Sequence, residues 1–336
     1  MATPALTRGD RAPNFQLYDP HGTLISLYSR ALGGPLVVVF LPTLDEPAPL
    51  TVLDGLQAAW PELAAAGAEL FCVATASEDA VAARASLQKP DFPLVADPGG
   101  ETASRYGVAG RLTAFVLDSR QRVLARFDGD AVTLVSRAVA SACGSPRTEP
   151  YKARPHAPVL RVPNILDPDI CAGLVAAAAA DPEQPNALIP LQDAAQLNQT
   201  AETIGRRVLP EIRRAFQAAM SRVEGVWIGA QESSPEPPEP HRQNDSRATR
   251  FRRFSMELEL DDGSFEGGEI CFPEYGGALY RLRTGEAIVY SSGLLRAVLP
   301  VRTGVRWSLV SHFYDEEGER VRQEIRREAM SSGGAA

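Results

Sequence analysis

The sequence predicts two domains of different class: an α/β layer fold in the first half and an antiparallel β sandwich or barrel, backed by helices, in the second. Three observations carry this. The length of 336 residues corresponds to about two domains. Apolar runs alternate with helical stretches from residue 36 to about 142, the pattern of an α/β layer. From residue 254 onward, short period-two stretches are separated by glycine turns, the pattern of antiparallel β structure. The stretch from Gly144 to His156 carries three prolines and little apolar content. The predicted organisation is therefore 1–147, a linker at 148–156, a second domain at 157–328 and a disordered tail at 329–336.

Composition narrows the functional classes. An apolar fraction of 44% supports sizeable cores. The net charge of −8, with no basic block interleaved with aromatics, argues against nucleic acid as a partner. The run Arg247, Arg250, Arg252 and Arg253 reads as a solvated strand edge or loop. No stretch has the length of a membrane span, and the first ten residues do not read as a signal peptide. The cysteines Cys72, Cys143, Cys171 and Cys271 are scattered without a C-x-x-C pair. That spacing fits a reduced, cytoplasmic location and neither a disulfide framework nor a zinc site.

In the first domain, Leu36 to Leu41 is a continuous apolar run, as expected of a strand buried on both faces. Ala48 to Ala66 is helical in composition, Glu69 to Ala74 is a second buried strand, and Glu78 to Leu87 is a helix. Thr113 to Leu117 and Arg122 to Phe127 form a hairpin about Ser119-Arg120-Gln121, closed by a helix from Val132 to Ala142.

The segments Gly9-Asp10-Arg11-Ala12-Pro13-Asn14-Phe15, Pro35 to Phe40, Asp91-Phe92-Pro93-Leu94-Val95-Ala96-Asp97, Tyr106-Gly107-Val108 and Arg111 to Asp118 resemble a peroxiredoxin of the thioredoxin fold. The resemblance implies a peroxide-reducing cysteine thiolate at a helix N-terminus, with Thr and Arg beside it to lower its pKa. Here the threonine position is Glu46, the cysteine position is Pro49, and Arg111 matches the arginine. Cys72 is the first cysteine of the chain and falls inside a predicted buried strand. The domain is therefore expected to have no peroxidase activity and to serve packing or partner binding. Relatives of this domain often pair, so a homodimer is one alternative.

In the second domain, Ala157 to Pro163 starts with a strand, and Asp167 or Asp169 caps a helix to about Ala180. Glu202 to Val223 is amphipathic, with Ile204, Val208, Ile212, Phe216 and Met220 spaced by four; Pro210 is expected to kink it. Val226 to Ala230 is a strand, followed by the proline-rich, acidic loop 233–240. Phe254, Met256, Leu258 and Leu260 alternate with Ser255, Glu257 and Glu259, which reads as a half-buried strand. Further strands are expected at Glu269 to Phe272, Glu286 to Tyr290 and Arg306 to Tyr314.

The run from Phe251 to Val310, with E-G-G-E-x-x-F-P-E-Y-G, T-G-E-A-x-V-Y and G-V-R-W-S in order, resembles the core of prolyl-hydroxylase-type oxygenases. The resemblance implies a double-stranded β-helix (jelly roll) and an Fe(II)/2-oxoglutarate site. Such a site has H-x-D and a distal His as iron ligands, and Arg-x-Ser gripping the far carboxylate of 2-oxoglutarate. Here His241 is the one surviving ligand position; Gln243 replaces the carboxylate and Arg296 the distal His. Arg306 and Ser308 match the carboxylate-gripping pair. Gln is a weak ligand and Arg has no lone pair to offer. Asp245, His312 and His156 are not convincing substitutes.

The expectation is a protein of the 2-oxoglutarate dioxygenase type that has lost conventional iron chemistry and needs no cofactor. It would act as a binding or regulatory protein whose Arg296 and Arg306 form a pocket for a small carboxylate. One alternative is a working hydroxylase using Fe(II) and 2-oxoglutarate at an unconventional site. Another is an enzyme with metal-independent chemistry in the same pocket.

Overall fold

The computed structural model describes residues 4–30, 33–145, 156–179, 188–234 and 239–332. The chain divides into two compact units, Met1–Lys152 and Ala153–Ala336. Apart from His156, the predicted linker lies outside the described residues, as do 235–238 of the proline-rich loop.

The first unit runs β1 (Gln16–Tyr18), β2 (Leu24–Ser26), α1 (Leu27–Arg30), β3 (Leu36–Leu41), α2 (Pro47–Ala65), β4 (Glu69–Ala74), α3 (Glu78–Gln88), β5 (Leu94–Ala96), α4 (Glu101–Arg105), β6 (Thr113–Leu117), β7 (Val123–Asp128) and α5 (Ala131–Cys143). Its five-stranded sheet has the order β5-β4-β3-β6-β7. The β5-β4-β3 half is parallel and the β3-β6-β7 half antiparallel. All six residues of β3 are buried because each face of the sheet is covered. Val37, Val39 and Leu41 pack with α2 and α5 residues such as Leu56 and Leu134, whereas Leu36, Val38 and Phe40 pack with Phe15, Ile25 and Tyr106. Asp130 starts α5 by accepting a hydrogen bond from the Thr133 amide at 2.8 Å. This is a thioredoxin-like α/β domain: the alternation of elements predicts its α/β class, and the resemblance implies the thioredoxin fold.

The second unit runs β8 (Leu160–Val162), α6 (Pro168–Ala179), β9 (Leu188–Pro190), α7 (Ala194–Phe216), β10 (Arg222–Glu232), β11 (Phe254–Glu259), β12 (Phe265–Gly267), β13 (Ile270–Cys271), a 3-10 turn at Pro273–Tyr275, β14 (Leu279–Tyr280), β15 (Ala287–Ser291), β16 (Ala297–Val298), β17 (Val301–Tyr314) and α8 (Glu316–Ser332). The main sheet has the order β8-β15-β11-β17-β10-β9, with β12 also on β17. β17 is its axis, antiparallel to β10, β11 and β12. A three-stranded sheet, β14-β13-β16, packs Ile270, Phe272 and Val298 with Ile288 and Tyr290 of β15.

Alternation along the strands divides the main sheet into two faces. One carries Met256, Leu258, Val289, Leu309 and Phe313, which pack with Leu174 of α6 and Ile204, Val208 and Ile212 of α7. The other carries Ser255, Glu257, Glu259, Arg306, Ser308 and His312, all of them buried. The half-buried reading of β11 is therefore corrected: its polar face does not meet water. Glu257 and Glu259 are only 1% and 2% exposed.

Three boundaries also differ from expectation. α7 begins at Ala194, where Asp193 accepts from the Gln196 amide at 2.7 Å, and it continues through Pro210 to end at Phe216. Residues 222–223 belong to β10 instead. The C-terminal helix α8 extends to Ser332, into the predicted tail, and residues 333–336 lie outside the described residues. Within the arginine run, Arg247 and Arg250 are exposed in turns, as expected of a solvated loop, whereas Arg252 and Arg253 are partly buried. Arg252 pairs with Glu224 at 2.5 Å with both side chains largely buried, Arg253 pairs with Asp315, and Arg247 and Arg250 pair with Glu328 and Glu324 of α8.

The turn into β15 depends on glycine. Gly285 has φ +75°, and a Cβ there would lie 2.1 Å from the Leu166 carbonyl oxygen. Gly285→Ala is expected to destabilise the protein by about 2–4 kcal/mol, read as a lower urea midpoint with unchanged slope. An unchanged midpoint would contradict this placement of the turn.

Candidate functional site

The C-terminal site is built where the two sheets meet. His241 and Arg296 form an isolated antiparallel bridge, each amide donating to the other's carbonyl at 3.0 Å. The Gln243 amide donates to the Ser292 carbonyl at 2.9 Å, fixing the next turn of chain. Gln243 Nε2 lies 3.1 Å from His241 Nε2, and His241 Nδ1 lies 3.0 Å from the Glu239 carbonyl oxygen. Nδ1 is therefore the protonated nitrogen, and Nε2 accepts from the Gln243 side chain. The three positions read from the sequence as the iron site, His241, Gln243 and Arg296, thus come together. Asp245 is exposed.

Behind them lies a chain of alternating charges. Arg296 donates to Glu257 Oε2. Glu257 Oε1 accepts from Arg306 Nη1 at 2.6 Å, and Glu259 Oε2 accepts from Arg306 Nε at 3.0 Å. The β11–β17 register explains the meeting. Glu259 lies directly opposite Ser308, and Glu257 opposite Val310, so both glutamates share the inner face with Arg306. Gly268 makes room for the arginine: a Cβ there would lie 2.8 Å from Arg306 Cδ.

The electrostatics follow from burial and pairing. Burial alone would raise the Glu257 carboxyl, but the Arg296 and Arg306 guanidiniums hold it below the usual carboxylate range. Among the described residues Glu259 has only Arg306 as a direct side-chain partner, and its Oε1 is buried without one. Burial, joined by repulsion from Glu257, pushes its carboxyl up to about 7 against the pull of Arg306. Burial disfavours the charge on Arg306, yet Glu257 and Glu259 together bind its proton more tightly than usual.

This arrangement bears on both pocket readings. Arg296 and Arg306 are not a bare cationic pair: Glu257 bridges both and Glu259 also binds Arg306. Sequence reasoning missed Glu257 and Glu259. Their signal was present, since they share period-two phase with Ser255 on the strand that flanks the inward-facing arginine. His312 lies further along the same face. Its Nδ1 is 2.9 Å from Ser255 Oγ, its ring packs at a tilt against Trp227, and burial pushes its pKa down to about 3, so it is a neutral core residue.

A resident Fe(II) does not fit these residues. His241 Nε2 is engaged by Gln243, and a guanidinium stands at the distal position. Among the described residues no group of three or more His, Cys, Asp or Glu comes together as a metal site.

In the N-terminal unit, the loop after β3 leads into α2, whose N-cap is Glu46 with no side-chain cap bond. Pro49 is buried in the first turn. Pro at this end of a helix costs little, because the first amides have no intrahelical acceptor. Arg111 faces Asp128, whose carboxyl is held low, against burial, by hydrogen bonds from Arg126 and Thr113 and by the charges of Arg126 and Arg111. Cys72 sits inside β4, where burial pushes its thiol up and away from the reactive thiolate. Cys171, raised to about 12 mainly by burial, is equally inert.

Comparison with known proteins bears on the family of the first unit. Residues 8–126 match the AhpC/TSA family, so the N-terminal unit is a peroxiredoxin-like domain of that family. Among solved structures, the chain is similar to a peroxidoxin from Mycobacterium tuberculosis, with 24% identity over 41% of this chain and 96% of that one and a TM-score of 0.39. It is also similar to peroxiredoxin Q from Xanthomonas campestris, with 21% identity over 38% and 89% of the two chains and a TM-score of 0.36. A hypothetical protein from Sinorhizobium meliloti 1021 matches with 20% identity over 42% and 86% of the two chains and a TM-score of 0.37. No curated protein matches the chain. The C-terminal unit, mostly antiparallel β with helices, has no assigned family. No helix among the described residues is long and apolar enough to cross a membrane.

The raised Glu259 carboxyl has a stability consequence. The folded protein keeps this proton up to about pH 7, whereas the unfolded chain releases it near 4.5. Folding therefore binds a proton in that window, and this group's contribution to stability falls as pH rises through it. Glu259→Gln is expected to gain stability relative to the parent between about pH 5 and pH 8, read from paired urea titrations. A difference that stays flat across that range would contradict the assignment.

Proposed function

We propose that the protein is a non-catalytic binding or regulatory protein in which two enzyme scaffolds have kept their folds and lost their chemistry. In this reading the C-terminal unit is a prolyl-hydroxylase-type jelly roll. The motif order from Phe251 to Val310 and the convergence of His241, Gln243 and Arg296 support it. Its retained capacity is a pocket for a small carboxylate at Arg306 and Ser308, whose charge is already compensated from within the chain.

The single observation that carries the proposal is the Arg296–Glu257–Arg306–Glu259 chain. An oxygenase of this type needs an open metal position and an arginine free to hold 2-oxoglutarate. Here the distal ligand position carries a guanidinium, and two internal carboxylates take Nε and Nη1 of Arg306. The N-terminal domain supports the same conclusion independently, because Pro49 cannot supply a thiolate at the start of α2. Loss at both centres, with both scaffolds intact, points to a change of role.

The test is anaerobic titration of metal-free protein with Fe(II), with and without 2-oxoglutarate, followed by admission of air and assay for succinate. Hydrogen peroxide consumption with a thiol reductant is measured in parallel. No succinate and no peroxide turnover above buffer are expected. Succinate formation abolished by His241→Ala would overturn the proposal.

A further inference from the structure

Resting on the carboxylate-pocket reading, the next question is what governs that pocket. Arg306 uses Nε for Glu259 and Nη1 for Glu257, which leaves Nη2 without a partner among the described residues. Ser308 lies two residues along β17, on the same face, and its hydroxyl also has no protein partner there. Gly229, opposite Ser308 on β10, leaves room beside that buried hydroxyl: a Cβ at Gly229 would come within 3.3 Å of it. A guanidinium nitrogen and a hydroxyl on one strand face are the donors that a carboxylate accepts.

Whether an anion enters depends on the surrounding charge. Two guanidiniums stand against two carboxylates, so the group is neutral when both glutamates are ionised. Glu259 is the weaker member. It is 98% buried, shares Arg306 with Glu257, and leaves Oε1 with no donor. The charged and titratable groups bearing on it are Arg306 of β17, Glu257 of its own strand, Arg281 from the segment after β14 and Cys171 of α6. Glu286, whose carbonyl accepts from the Glu259 amide, has its own carboxylate bound by Arg161.

We propose that Glu259 is the proton gate of this pocket: protonated, it leaves the group with one net positive charge, and a small carboxylate binds at Arg306 Nη2 and Ser308 Oγ. Ionised, it returns the group to neutrality, and the external anion loses its counter-charge. Gain of the proton and gain of the anion are then a single linked event. The upward displacement of the Glu259 carboxyl puts the change near neutral pH.

The experiment is calorimetric titration of the full chain with 2-oxoglutarate and, separately, with acetate, at about pH 5.5 and pH 8 and constant ionic strength. The expected result is about tenfold tighter binding at the lower pH. Glu259→Gln should bind at pH 8 about as the parent does at pH 5.5, with the pH dependence gone. In the unmodified protein, titration near pH 7.5 in buffers of different ionisation enthalpy should reveal uptake of about one proton per ligand bound. Binding that is equally tight at both pH values, without proton uptake, would overturn the gate and leave the pocket standing. No binding by either protein at either pH would overturn the pocket reading and the gate together.

Discussion

A buried guanidinium requires counter-charge, and the C-terminal unit is arranged around meeting that requirement at Arg306. Removing an ion from water costs several kcal/mol unless close partners replace its hydration. Arg306 is 3% exposed, and its two nearest counter-ions come from the strand that flanks β17. The β11–β17 register is therefore also an electrostatic constraint. A one-residue slip would turn Glu257 and Glu259 toward the apolar face that packs on α6 and α7, and would leave Arg306 uncompensated. Gly268 belongs to the same constraint, because its missing side chain is the space through which the arginine passes.

The internal pairing also separates scaffold from chemistry. The hairpin-like approach of His241 to Arg296 brings together the positions that the sequence resemblance singles out, and the groups delivered are an imidazole already accepting a hydrogen bond, an amide and a guanidinium. In the N-terminal domain the parallel statement holds. The sheet, the helix start after β3 and Arg111 are present, while the first turn of α2 carries proline and Arg111 faces Asp128.

Much of the fold was legible in the sequence, for physical reasons that also mark where legibility ends. A strand buried on both faces must be apolar throughout, so β3 and β4 could be read to the residue. Period-two alternation in β11 revealed two faces but not that the polar one was enclosed. That depends on the three-stranded sheet, whose two-residue strands β13, β14 and β16 carry no pattern of their own. The start of α7 was misplaced because its first turn is held by the Asp193 cap, while the apolar spacing begins later. The candidate positions His241, Gln243, Arg296, Arg306 and Ser308 were found from motif order. The partners Glu257 and Glu259 were not, since they meet the arginines across 39 to 49 residues of chain.

The most direct test of this account is a double-mutant cycle on unfolding free energy at pH 8, using Glu257→Gln, Arg306→Gln and the pair. If the internal carboxylate is the counter-charge of Arg306, the two substitutions are strongly non-additive, with a coupling of about 2 kcal/mol or more. Additivity within about 0.5 kcal/mol would mean that Glu257 is not the counter-charge of Arg306, and the central claim would fail.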